Sequence, residues 1–134
     1  MVEFRLRREA AAVLVAAVGI TLAVSSQEAS ADLTISLEGQ CPGEMTLSWE
    51  GAVPDRFGAL VTGRRLGEWT APGSICAGTV INVWNPVVQL IFRTGGDGNG
   101  SMHGRIPDPL CGQYLQMVVV DGNPCQTSNV VQIQ

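Results

Sequence analysis

The sequence predicts an all-β protein: a small antiparallel β-sandwich with two disulfides, preceded by an N-terminal signal helix. Three observations carry that expectation. Apolar and polar residues alternate in short runs, the two-residue period of a strand with one buried face. Turn residues separate the runs. Four cysteines, Cys41, Cys76, Cys111 and Cys125, all follow an apolar leader.

The leader comes first. Arginines at 5, 7 and 8 precede an uncharged apolar run over 10–24, and Ser25, Ser26, Gln27 and Glu28 follow. This is the layout of a secretory signal. An apolar run of about 15 residues falls short of the roughly 20 that cross a bilayer, so an uncleaved anchor is the weaker alternative. Ala29 and Ala31 stand in the small-x-small pattern that precedes cleavage, which places the cut after Ala31. The chain then divides into a signal, 1–31, and a domain, 32–134, with no stable membrane insertion after cleavage. The expected location is secreted or at the cell surface, periplasmic or extracellular. Arg7-Arg8 is a twin-arginine pair lacking the fuller motif, and no cysteine at the cut invites a lipid anchor.

A domain of this size buries about two-thirds of its unfolded surface, so covalent bracing helps it. An even cysteine count in an exported chain reads as two disulfides. A zinc site needs close C-x-x-C pairs, and here the four are dispersed; no metal and no cofactor are expected. The domain holds five arginines (56, 64, 65, 93, 105), no lysine and nine carboxylates, a net charge of −4. Nucleic acid is excluded as a main partner, because phosphate binding needs a positive stripe.

Along the domain, Leu33, Ile35 and Leu37 alternate with polar neighbours, and Cys41-Pro42-Gly43 ends the run. Met45, Leu47 and Trp49 repeat the pattern. Residues 51–56 form a turn, 57–62 a third strand, and 63–65 close it. The stretch 66–86 is the least regular, broken by Gly67, Pro72, Gly73 and Gly78, with 79–84 as a candidate strand. Val87 to Thr94 is β-prone, and the glycine-rich 95–100 leading into 101–106 has the signature of a hairpin. Tyr114 to Val120 is the most β-prone run, and 121–124 turns it into a last strand over 127–133.

The glycine-rich segment Gly95 to Gly100, Tyr114-Leu115-Gln116 and Thr127-Ser128-Asn129-Val130-Val131 give the domain its likeness to known proteins. Throughout its length it resembles the small immunoglobulin-like modules of secreted bacterial proteins. The resemblance implies a fold and a location but no ligand, and it departs from the antibody pattern of two facing cysteines with a tryptophan between them. Four cysteines allow three connectivities that spacing alone does not rank. In an immunoglobulin-like order, Cys41 and Cys111 lie at the same end. Cys125 lies a strand away from Cys111, about 20 Å at roughly 3.3 Å per residue, too far for a bridge. The expected pairs are Cys41 with Cys111 and Cys76 with Cys125.

Catalytic residues are not expected. His103 is the one histidine, and no G-x-S-x-G elbow presents a serine to it. The acids Asp55, Glu68, Asp97, Asp108 and Asp121 sit near turns, and their spacing selects no pair for glycoside hydrolysis. Asp97, Asn99 and Ser101 alternate as in an oxygen-ligand calcium loop, but Met102 stands where that loop needs glycine. A tight turn is the better reading.

Trp49 is expected in the core. Trp69 and Trp84, flanked by polar residues, are candidate ligand-binding side chains together with Arg64 and Arg65, with Asn82 and Asn85 nearby. An exposed aromatic beside polar groups is how a sugar- or protein-binding face is built. The leading functional expectation is a secreted, non-catalytic structural or binding module, an adhesion or assembly component at the cell surface. The uncharged edge strand 127–134 would pair with a protein partner or with itself. The alternative is a carbohydrate-binding module whose exposed tryptophans hold a glycan.

Overall fold

A computed structural model describes residues 33–134; the signal helix and the cut after Ala31 lie outside the described residues. The elements are β1 (Thr34–Gly39), β2 (Gly43–Glu50), β3 (Phe57–Gly63), β4 (Leu66–Thr70), β5 (Val80–Val83), β6 (Val87–Arg93), β7 (Gly100–Ile106), β8 (Tyr114–Val119), β9 (Gln126–Thr127) and β10 (Val131–Gln132), with one 3-10 turn at Asp108–Leu110. Every strand pairing is antiparallel.

Alternation in the sequence becomes one buried face. Ile35 lies opposite Trp49 and Leu37 opposite Leu47 across the β1–β2 ladder, and β7 adds itself to β2 with Met102 opposite Leu47. The first sheet is therefore β1-β2-β7. The second runs β10-β8-β3-β6, with β9 also on β8. Ile35, Met45, Leu47 and Trp49 from the first share one buried cluster with Leu60, Leu115, Met117 and Val119 from the second. The two sheets thus form two layers over a common core.

The second sheet is buried on both faces at its centre. Val61 and Val118 point away from the main core into a second cluster with Ile81, Val83, Cys76 and Cys125, so β4 and β5, paired as a hairpin, cover its outer side. Two-sided burial is why β3 and β8 read as nearly continuous apolar runs.

Both disulfides form. Cys41 bonds Cys111 and Cys76 bonds Cys125, with Cα separations of 5.4 and 5.0 Å. The first ties the β1–β2 turn to the segment before β8; the second ties the β4–β5 loop to the loop after β8. Among the described residues no helix is long and apolar enough to cross a membrane, and two disulfides fit an oxidising compartment.

Three sequence expectations are corrected. The stretch 66–86, read as irregular, holds the strand β4. Its ladder is interrupted between Leu66 and Trp69, and it is held by pairing with β5 and by Trp69, which packs against the second cluster, rather than by a buried face of its own. The glycine-rich loop does not close a hairpin: β6 pairs with β3 in the second sheet and β7 with β2 in the first. The loop instead crosses between layers and bonds to the other crossing loop, with Ala52 N–H donating to Gly98 O at 3.0 Å and Asp55 N–H to Gly95 O at 2.9 Å. Gly98 has φ +81° and a Cβ there would strike the Ala52 carbonyl, so Gly98→Ala is expected to cost about 1–3 kcal/mol in urea unfolding. Lastly, the single strand expected over 127–133 is two short pieces, β9 and β10. Between them Asn129 turns to the first sheet, accepting from Ile35 N–H at 2.7 Å and donating to Ile35 O at 3.1 Å.

Candidate functional site

Three surfaces place chemistry-bearing side chains together. The first grows from the turn between β3 and β4. Gly63 ends β3 so close to β5 that a Cβ would overlap Val83. This contact lays Arg64 and Arg65 beside the end of β5, where Trp84 N–H donates to Arg65 O at 2.9 Å. Asn85 turns the chain at φ 53°. Trp84, 46 % exposed, then lines an open groove of 350 Å³ with Arg64, Arg65, Asn85, Gln89 and Gln113. A flat ring, two guanidinium groups and several amides converge there.

Trp69 does not join that groove. It is half-buried on β4 and packs against the second cluster. Asn82 is also occupied: its N–H donates to Gln116 Oε1 at 2.8 Å, and Gln116 Nε2 donates to its Oδ1 at 3.2 Å. The structure therefore brings together Trp84, Arg64, Arg65 and Asn85, and leaves Trp69 and Asn82 to the framework. Trp69→Ala is expected to lower Tm by several degrees through lost packing without altering the groove, as differential scanning calorimetry and near-UV circular dichroism would show.

The second surface is polar. On the outer face of the first sheet, Thr46 lies opposite His103 and Glu44 opposite Arg105. His103 Nε2 is 2.8 Å from Glu44 Oε1, and its Nδ1 is 2.9 Å from Thr46 Oγ1. Arg105 reaches Glu44 Oε2 at 3.8 Å. The His103 and Glu44 side chains are 62 % and 55 % exposed, so these are cross-strand pairs on a wet face. Pairs of this kind contribute fractions of a kcal/mol. Asp97 and Asn99 are likewise committed to turns: Asn99 N–H donates to Asp97 Oδ1 at 3.0 Å and Gly51 N–H to Asn99 Oδ1 at 3.1 Å.

The third surface is one that sequence reading missed. On the outer side of the second sheet, beside the hairpin, Phe57, Ile75, Val88 and Ile91 are 54, 69, 56 and 65 % exposed. They rim an apolar groove of 390 Å³ floored by Ala59, Val61 and Val118. Val87 and Leu90 of β6 are exposed too, but on the other face of the sheet, opposite Thr62 and Leu60. The apolar run 87–92 was visible, but a fully buried strand and an exposed one have the same composition. Only the sheet order reveals that β6 stands at an edge. Comparison of the chain with protein-family models, with curated proteins and with solved structures finds no match.

Proposed function

We propose that this chain is an exported, non-catalytic contact module with an immunoglobulin-like sandwich fold, and that it presents the apolar outer side of its second sheet, with the β6 edge, to a protein at the cell surface. The fold reading is supported by strand order. With β1, β2 and β7 as strands A, B and E, and β3, β8 and β10 as C, F and G, the order β1-β2-β7 against β10-β8-β3 is that of an immunoglobulin-like sandwich, with β6 added beside C. Export is supported by the leader and by the two bridges.

The observation that carries the function is the apolar surface of Phe57, Ile75, Val88 and Ile91. Contiguous apolar area of this kind costs solubility and marks interaction sites. The test is fractionation of an exporting host. Wild-type protein is expected with the cell surface, and Val88→Lys with Ile91→Arg is expected in the medium at equal total yield. Equal partition of the two would sink the reading.

A second reading is favoured by the Trp84 groove: a carbohydrate module in which the ring stacks on a sugar and Arg64, Arg65 and Asn85 bond its hydroxyls. On a glycan array, Trp84→Ala is expected to weaken binding by at least tenfold and Trp69→Ala to leave it intact. No glycan bound by the wild type ends this reading.

A further inference from the structure

We infer that β6 is a self-pairing edge, joining two copies of this chain antiparallel about a two-fold axis at Ile91 so that their second sheets become one continuous sheet. The inference deepens the contact reading, on which it rests, by naming the occupant of the apolar edge.

The backbone comes first. Among the described residues β6 pairs only with β3 and ends its sheet. Bonded residues alternate along an antiparallel ladder. Thr94 N–H donates to Arg56 O at 2.9 Å, so Thr94, Phe92 and Leu90 direct their polar groups to β3. Ile91 and Arg93 direct theirs to the open side. The register slips between Leu60 and Val61, which lie opposite Leu90 and Val88, so Gln89 is the extra residue of a bulge and ends the regular edge.

The other edges differ in kind. β7 carries Ser101, His103 and Arg105 on its outer face. β1 is bridged by the Asn129 amide at Ile35. Beyond β10, the Gln134 carbonyl accepts from Cys41 N–H at 3.0 Å and the Ile133 carbonyl from Gly112 N–H at 2.6 Å. Sheet proteins ordinarily guard an edge with charges or proline. The one charge of β6, Arg93, is turned aside: its guanidinium lies over the Phe57 ring at 4.9 Å and donates to Asp55 O at 3.1 Å.

Two features select a second copy as the occupant. One is charge. An axis at Ile91 sets Ile91 against itself and brings Arg93 to the bulge at the neutral Gln89 of the other copy, so no like charges meet. The other is area. Phe57, Ile75, Val88 and Ile91 flank the edge on the outer face and Val87 and Leu90 on the inner one. Edge-to-edge pairing brings side chains together on both faces, and the six expose roughly 600 Å² against the about 800 Å² per partner of a standard interface. An isologous pairing uses the same patch twice, and main-chain bonds supply affinity without a specialised sequence.

Sedimentation velocity on the protein as exported, from about 1 µM to 1 mM, tests this. A monomer–dimer equilibrium is expected, with Ile91→Arg and Val88→Lys each raising the dissociation constant at least thirtyfold. Both side chains are exposed, so near-UV circular dichroism and the two disulfides should be unchanged. Gln132→Lys, on the opposite edge, should leave the equilibrium alone. Ile91→Cys should give a covalent dimer under mild oxidation, since opposed bonded residues stand about 5.5 Å apart, within disulfide reach; Leu66→Cys should not. A monomer at 1 mM, a dimer indifferent to Ile91→Arg, or a dimer lost only in Gln132→Lys overturns the inference. If the protein is monomeric yet Val88→Lys with Ile91→Arg still releases it from the cell surface, the contact reading survives and the self-pairing falls. If it dimerises through Ile91 but surface retention ignores that double variant, the self-pairing stands and the surface role falls.

Discussion

Replacing Cys76 and Cys125 together by serine is expected to lower stability by about 4 kcal/mol or more, and Tm by about 20 °C in a domain of this size. The bridge spans 49 residues and Cys41–Cys111 spans 70. Loop entropy alone makes the longer one worth more, but only by ~0.3 kcal/mol. Packing reverses the order. Cys76 and Cys125 are 8 and 7 % exposed and belong to the second core cluster, whereas Cys41 and Cys111 are half-exposed. Serine at the buried pair therefore adds hydroxyls that need partners, a cost of about 1–3 kcal/mol each where none is found. Thermal and urea unfolding of the two double variants decides the matter. Greater damage from losing Cys41–Cys111 would mean that chain entropy outweighs packing here.

Gln116→Leu is the other substitution expected to act strongly, at about 2 kcal/mol or more. Gln116 on β8 is fully buried, and its amide holds three elements at once. Its Oε1 accepts from Asn82 N–H on β5, and its Nε2 donates to Asn82 Oδ1 and to Ser128 O at 2.8 Å, between β9 and β10. Leucine keeps the volume and leaves the buried Ser128 carbonyl without its donor, at about 1–3 kcal/mol, while the Asn82 groups, at an exposed residue, lose a partner that water partly replaces. Hydrogen exchange should localise the loss: amides of β4, β5 and the 126–132 segment should exchange faster before the β1–β2 ladder does. Uniform acceleration over the whole domain would show that Gln116 does not hold the hairpin specifically.

Gln116 also marks the boundary of what could be read from the chain. A glutamine inside the β-prone run 114–120 looks like the polar half of an alternation, and its neighbours Leu115 and Met117 encourage that view. Its burial follows from the hairpin β4–β5 lying on the outer face of the second sheet, a contact with no sequence period. β4 was hidden for a related reason: its residues alternate poorly and are held by pairing with β5. Trp69 and Trp84 were indistinguishable in composition, yet one became packing and the other the wall of a groove. Arg64, Arg65 and Trp84 were expected together as an aromatic beside polar groups, and the close approach of Gly63 to Val83 is what joins them.

The all-β class and most of the strand positions were legible in the chain, because alternation and turn residues are local quantities. The cysteine pairing, which the structure shows as expected, followed only once an immunoglobulin-like strand order was assumed, because spacing ranks none of the three connectivities. Which strands neighbour each other follows from packing between distant segments. Residues 87–94 read as a β-prone strand entering a hairpin, and 127–134 as the open edge. The crossing of 94–99 between layers instead left β6 at the rim of the second sheet, while Asn129 and the carbonyls of Ile133 and Gln134 were drawn into bonds with β1, the β1–β2 turn and the segment before β8. An edge is a property of the whole sheet, set by which loop crosses and which turns back, and a glycine-rich loop serves either purpose with the same residues.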